Sequence, residues 1–269
     1  MPEGDTIFRI ARRLAPLLEG ERIEEAAAGG WREAVDPRPL AGCVIAAVES
    51  RGKHLLIATR EGLVVHSHLG MTGSWHVAGR GGSWAKPWRQ AALRLSTRRH
   101  EVVCFSPEIL RIVSRQRVRR EPLLDRLGPD LLAAWTANDW DDMLRRLSRY
   151  PDAPIGEAVM NQKIACGIGN VYKSEALFLA GVSPLVRVRQ RPPSEWQAVY
   201  RLAQRLLRRN RGGGMRRTRF AVDGPPLWVY GRSGEPCLRC ATAIVVHRQG
   251  EAARTTYWCP ACQTGSDED

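Results

Sequence analysis

The chain has 269 residues, of which 43% are hydrophobic and 26% charged, a length that suits two domains and a small accessory module. This balance excludes a disordered chain, and no apolar run approaches the ~20 residues needed to cross a bilayer, so no membrane partner is expected. With 41 Lys and Arg against 28 Asp and Glu, the net charge of +13 points to a polyanionic partner, nucleic acid ahead of anionic lipid.

The first residues, Met1 to Asp5, are acidic where a secretory signal would be basic and then apolar, which makes the cytoplasm the expected location. If Met1 is removed, Pro2 carries a secondary α-amine with a reference pKa of about 8 and becomes a candidate nucleophile. Asp5 or Thr6 can cap a helix in which Ile7, Ile10, Ala11, Leu14, Leu17 and Leu18 form one apolar stripe, ended by Gly20. Lysine is scarce, present only as Lys53, Lys86, Lys163 and Lys173, so chemistry that needs an amine falls to these or to the N-terminus.

From about Cys43 to Val113 come short runs, Cys43–Val48, His54–Ala58, Leu63–His68, Ala91–Leu95 and Val102–Phe105, punctuated by Gly-containing turn signals. These predict an antiparallel sandwich or barrel. After Leu127 to Asp130 the period becomes helical, over Asp139–Ser148, Gly156–Lys163, Asn170–Leu179 and Ser194–Arg209, the last with Trp196, Val199, Leu202 and Leu206 on one face. Between two of these stretches, Gly167 and Gly169 permit a tight turn. It is either a plain interhelical connection or a phosphate site in which a helix N-terminus, the Asn170 amide and the Lys163 charge meet an anion.

Cys237-Leu-Arg-Cys240 and Cys259-Pro-Ala-Cys262, eighteen residues apart, have the spacing of a four-thiolate zinc site. Such a shell leaves no open position, so one structural Zn²⁺ is expected, with disulfides as the alternative. Cys43, Cys104 and Cys166 read as buried thiols. Between the knuckles, Ala243–His247 and Thr255–Trp258 predict a hairpin with Arg248, Gln249 and Arg254 near its turn. A basic tip of this kind suits a DNA groove, unless Arg254 is merely solvated.

Taken in order, Pro2-Glu3, Arg51-Gly52-Lys53, His68-Leu-Gly-Met71-Thr-Gly73, Gly167-Ile-Gly-Asn170 and the four-cysteine tail closely resemble the formamidopyrimidine-DNA glycosylase/endonuclease VIII family. The resemblance implies an α+β multidomain protein: an N-terminal β-sandwich with flanking helices over 1–130, a helix–two-turn–helix domain over 131–226, a zinc-ribbon finger over 227–265 and a disordered tail over 266–269. Damaged DNA would bind between the halves of a monomer, in a bacterial, nucleoid-associated setting. It places the nucleophile on Pro2, the catalytic carboxylate on Glu3 and the hairpin lysine on Lys53. The phosphate grip falls on Lys163 and Asn170, the finger arginine on Arg254, and a wedge that fills the gap left by a flipped nucleotide on Met71, which core packing could otherwise explain.

Three departures from the family pattern bear on the substrate. Asp5-Thr6 stands where many relatives have Pro-Glu, so a further carboxylate is missing at Thr6. Phe105 to Arg111 lacks the Arg-Arg-Phe loop of the purine-directed branch, and Gly70-Met71-Thr72 replaces the Gln-Leu-Tyr wedge of the best-known endonuclease VIII branch. The expectation is a bifunctional glycosylase and lyase acting on oxidised pyrimidines. The alternatives are a purine-directed enzyme and a binder of damaged DNA that has lost catalysis.

Overall fold

The computed structural model describes residues 2–31, 35–118 and 122–265. The tail expected to be disordered, 266–269, lies outside the described residues. The chain divides into two compact units, Met1–Arg126 and Leu127–Asp269.

The first unit opens with α1 (Gly4–Leu18), whose Ile7, Ala11, Leu14 and Leu18 are buried at the expected spacing. Its start differs from the sequence expectation. Glu3, in extended conformation, is the N-cap, and its carbonyl accepts the amides of Thr6 at 2.9 Å and Ile7 at 3.1 Å. Asp5 lies inside the first turn, where its carboxylate suits the positive end of the helix dipole. It is fully buried, with Arg9 one turn on at 3.6 Å. Gly20, at φ +84°, follows the end of the helix as expected.

Two four-stranded antiparallel sheets complete this unit. Strands β1 (Glu25–Ala27), β2 (Ile45–Arg51), β3 (His54–Thr59), β4 (Leu63–His68), β5 (Ser74–Gly79), β6 (Ala91–Ser96), β7 (His100–Phe105) and β8 (Ile109–Ser114) pair in the orders β1-β6-β7-β5 and β2-β3-β4-β8. Alternate residues of both sheets, among them Ile45, Leu55, Ile57, Val65, Leu93, Leu95, Val102 and Cys104, join the buried face of α1 in one apolar cluster. The expected sandwich is present, and α1 packs on β2 and β3. Two short helices follow, α2 (Arg115–Val118) and α3 (Pro122–Asp125).

The second unit carries α4 (Ala137–Leu147), α5 (Ile155–Ala158), α6 (Asn170–Ala180) and α7 (Pro193–Arg209), then the hairpin β9 (Val245–Gln249) and β10 (Arg254–Trp258). Thr136 and Asp139 close a capping box on α4, and Pro193 opens α7. The helix expected over Gly156–Lys163 is only one turn long. Side chains then capture the backbone: Asn161 Oδ1 accepts the Lys163 amide at 3.0 Å, and Gln162 accepts the Gly167 amide at 3.0 Å while donating to the Ile168 carbonyl at 3.0 Å. Gly167, at φ +115°, supplies the turn that no side-chain-bearing residue adopts readily. The result is two turns between α5 and α6, the connection that gives a helix–two-turn–helix its name. No helix among the described residues is long and apolar enough to cross a membrane.

Candidate active site and nucleic-acid interface

In the first unit, Pro2 is half-buried, and Glu3, the extended N-cap of α1, is fully buried. Because α1 packs on β2 and β3, the Pro2-Glu3 pair begins a helix seated on the two strands whose connecting turn carries Lys53. That turn is tight, with Gly52 at φ +58°. Lys53 is half-buried.

Immediately after Lys53 lies a cluster that the sequence reading did not single out. His54 Nδ1 and His66 Nε2 are 2.9 Å apart, and both residues are buried. His54 faces His68 directly across the β3–β4 ladder, with ring centroids 4.9 Å apart. His68 Nδ1 is 3.4 Å from Glu108 Oε2. Burial holds the His54 pKa down to about 3, and the neighbouring His68, His66, Lys53 and Arg51 act in the same direction. His54 is therefore uncharged near neutral pH, and in its contact with His66 one ring nitrogen donates and the other accepts. His68 is also shifted down, chiefly by burial, with Glu108 opposing and Lys53 reinforcing. The only sequence signal for this cluster was histidine at the first position of β3, His54, and at alternate positions of β4, His66 and His68.

Met71 follows in the turn after β4 and is 68% exposed, so core packing does not account for it. Thr6 donates weakly to Asp5 Oδ1 at 3.4 Å.

In the second unit, Lys163 is exposed on the turn between α5 and α6, and its carbonyl accepts from Arg146 at 2.9 Å. Asn170 is the first residue of α6 and is buried. Its amide donates to the Thr255 carbonyl at 2.6 Å and to Thr255 Oγ1 at 3.1 Å, which joins the helix N-terminus to the strand that begins with Arg254. Arg254 is half-buried. The expected phosphate residue Asn170 and the expected finger arginine thus belong to one hydrogen-bonded assembly, while Lys163 stands on the preceding turn.

Two further residues of α6, Lys173 and Glu175, are buried. Lys173 is 1% exposed and donates to Thr256 Oγ1 at 2.7 Å and to the Thr255 carbonyl at 3.3 Å. Glu175 accepts the amides of Trp228, Val229 and Tyr230 at 2.8, 2.9 and 2.8 Å, together with the Thr218 hydroxyl. Gln249, expected near the hairpin tip, instead points inward, donating to the Pro184 carbonyl at 3.0 Å and accepting from Thr256 at 2.7 Å. Arg248 is exposed, as are Gly250, Glu251, Ala252 and Ala253 at the tip itself.

The four sulfurs of Cys237, Cys240, Cys259 and Cys262 all lie within 4.8 Å of one another. Individual separations are 3.8 Å for Cys237–Cys262 and 3.4 Å for both Cys240–Cys259 and Cys240–Cys262. A tetrahedron of thiolates about 2.3 Å from zinc has edges of about 3.8 Å, so the set fits one structural ion. Val229, Ile244 and Phe178 pack around Cys237 and Cys259 and seal its inner side. Cys43, Cys104 and Cys166 are buried elsewhere.

Family comparisons agree with this anatomy. Residues 1–108 match the formamidopyrimidine-DNA glycosylase N-terminal domain, 127–219 the formamidopyrimidine-DNA glycosylase H2TH domain, and 234–265 the zinc finger found in FPG and IleRS. A probable endonuclease 8 2 of Streptomyces coelicolor is 41% identical, over 98% of this chain and 95% of its own. The DNA-(apurinic or apyrimidinic site) lyase Nei2 of Mycolicibacterium smegmatis is 37% identical, over 99% of this chain and all of its own. Among solved structures, Lactococcus lactis formamidopyrimidine-DNA glycosylase bound to abasic-site DNA superposes with a TM-score of 0.82 at 23% identity, over 98% of this chain and all of that one, a likeness of fold. With domain matches along nearly its whole length and full-length relatives above 35% identity, the chain belongs to the formamidopyrimidine-DNA glycosylase/endonuclease VIII family.

Proposed function

We propose that this protein is a bifunctional DNA glycosylase and abasic-site lyase of base excision repair that removes oxidised pyrimidines, with the Pro2 nitrogen as nucleophile. The observation that carries the reading is the Pro2-Glu3 pair at the head of α1, with Glu3 buried as the cap and Lys53 on the turn between the strands beneath. Support also comes from the full-length relatives named endonuclease 8 2 and abasic-site lyase.

The damaged nucleotide is flipped out of the stack, which costs least where pairing is already poor. Met71, exposed after β4, fills the gap. The neutral Pro2 nitrogen forms a bond to C1′ as the glycosidic bond breaks; the base leaves with its electron pair and takes up the proton that the attacking amine loses. Glu3 gives its proton to the ring oxygen, and the sugar opens. The secondary amine is left as an iminium, which draws electrons from the C2′–H bond. Loss of that proton expels the 3′ phosphate, and a second elimination expels the 5′ phosphate. Lys53 holds or protonates the departing group, while Lys163, Asn170 and Arg254 hold the backbone. Bound zinc keeps the finger folded, and no chemical step passes through it.

The preference for pyrimidines rests on the missing Arg-Arg-Phe loop between Phe105 and Arg111. The enzyme acts as a monomer in the bacterial cytoplasm, at the nucleoid. A panel of oxidised bases in duplex, bubble and single-stranded DNA tests this reading. Excision of oxidised pyrimidines ahead of 8-oxoguanine opposite cytosine is the expected result. The reverse order refutes the substrate, and binding without incision refutes the activity.

A further inference from the structure

The backbone carbonyl of Thr255 has two donors from the same helix: Asn170 Nδ2 at 2.6 Å and, three residues on, Lys173 Nζ at 3.3 Å. Lys173 is anchored beside this carbonyl by its 2.7 Å bond to Thr256 Oγ1. Thr256 in turn donates to Gln249, and Gln249 to the Pro184 carbonyl, so the ammonium group sits in a held polar chain rather than a loose pocket. A buried ammonium is costly without such partners, and a Met or Leu at this position would fill the space without that cost. The position of the amine therefore calls for a reason.

Asn170 supplies one. The Thr255 carbonyl fixes the direction of its amide, because the reverse orientation would set two acceptors 2.6 Å apart. In this orientation Asn170 Oδ1 is buried without a hydrogen-bond partner among the described residues. Both N–H groups of the amide are spent on Thr255, one on its carbonyl and one on Oγ1 at 3.1 Å, so the amide can grip a phosphate only by giving one of them up. If it turns away, a buried carbonyl loses its shorter bond, and an orphaned buried carbonyl costs a factor of roughly ten or more in any equilibrium that creates it.

We propose that Asn170 and Lys173 form a hand-over at Thr255: when DNA arrives, the Asn170 amide leaves the Thr255 carbonyl for a phosphate oxygen and Lys173 takes the carbonyl. Lys173 is then a positioning residue, acting on DNA through Asn170 without touching it. The inference rests on the reading of Asn170 as a phosphate contact. It explains why a lysine, with three donors on a rotating head, occupies a site that an apolar side chain could fill. It also makes Arg254 independent of the exchange, since β10 stays tied to α6 in both states.

A double-mutant cycle on the zinc-loaded full chain tests the hand-over, using a duplex with a tetrahydrofuran abasic analogue as the probe. Asn170→Ala is expected to raise Kd about tenfold, and Lys173→Met about tenfold in the wild-type background. In the Asn170→Ala background, Lys173→Met is expected to change Kd less than about twofold, because the carbonyl is then equally orphaned in free and bound protein. If Asn170→Ala leaves Kd unchanged, the reading of Asn170 itself fails and the hand-over with it. If Asn170→Ala weakens binding but Lys173→Met weakens it equally in both backgrounds, the hand-over alone fails and Lys173 is only structural. Should Lys173→Met lose its fold, the crystal structure of the wild-type complex decides. Asn170 Nδ2 within about 3.2 Å of a phosphate oxygen, with Lys173 Nζ closed to about 2.9 Å of the Thr255 carbonyl, supports the proposal. An amide still on Thr255 overturns it.

Discussion

His54 and His66 share a hydrogen bond of 2.9 Å between Nδ1 and Nε2, inside the sandwich and directly behind the residue that bears the hairpin amine. With its pKa held near 3 by burial first and by neighbouring charges second, His54 remains neutral in the folded protein, while in the unfolded chain it protonates near 6.5. The unfolded state therefore binds more protons between about pH 6.5 and 3, and stability falls as pH falls through that window. At pH 5 the loss relative to pH 8 is expected to be about 2 kcal/mol. Urea unfolding of the wild type and of His54→Phe at both pH values measures it. The variant should show the smaller pH dependence, and equal slopes would show that His54 does not titrate as described.

Glu175 collects three backbone amides and a hydroxyl from the segment that leads into the finger. Substitution by Gln puts an amide donor among donors and removes the charge, which should destabilise the second unit by about 2–3 kcal/mol. A thermal melt with zinc content measured in parallel checks this. A melting temperature within a degree of wild type would mean the carboxylate is not the anchor.

Removing one thiolate from the finger, as in Cys240→Ser or Cys259→Ser, should release the metal and weaken DNA binding at least tenfold, while the first unit stays folded. Metal analysis and circular dichroism read the two halves of this expectation. A zinc-free variant that binds DNA normally would contradict it.

Much of this was legible from the sequence where the governing physics is local. The apolar stripe of α1, the Trp196–Val199–Leu206 face of α7 and the paired cysteines are patterns of spacing, and each appears where it was expected. What escaped depends on distant partners. Strand β5, with Ser74, His76 and Gly79 diluting its apolar positions, is held by pairing with β7. The helix expected over Gly156–Lys163 stops at Ala158 because Asn161 and Gln162 bond to the backbone instead. Lys173 and Glu175 look like ordinary solvent-facing charges of a helix until β10 and the 228–230 segment are packed against them. The cap of α1 falls on Glu3 rather than on Asp5 or Thr6, which shifts the helix start onto the proposed catalytic pair.

Arg254→Ala should raise Kd for damaged and undamaged duplex by similar factors and lower the salt dependence of binding by about one counterion. Fluorescence anisotropy across a salt series gives both quantities. A change confined to lesion-bearing DNA would mean that Arg254 reads the lesion rather than the backbone.

The proposed mechanism depends on the α-amine of Pro2, since a peptide bond to Met1 would turn it into a non-nucleophilic amide. Protein that retains any residue before Pro2 should bind abasic DNA without nicking it, and Glu3→Gln should impair base release more than nicking of an already opened abasic sugar. The most direct measurement is borohydride trapping on abasic DNA followed by mass spectrometry of the cross-linked peptide. The account predicts an adduct on the nitrogen of Pro2 at the mature N-terminus. An adduct on Lys53, or full activity in protein shown to retain Met1, would contradict it.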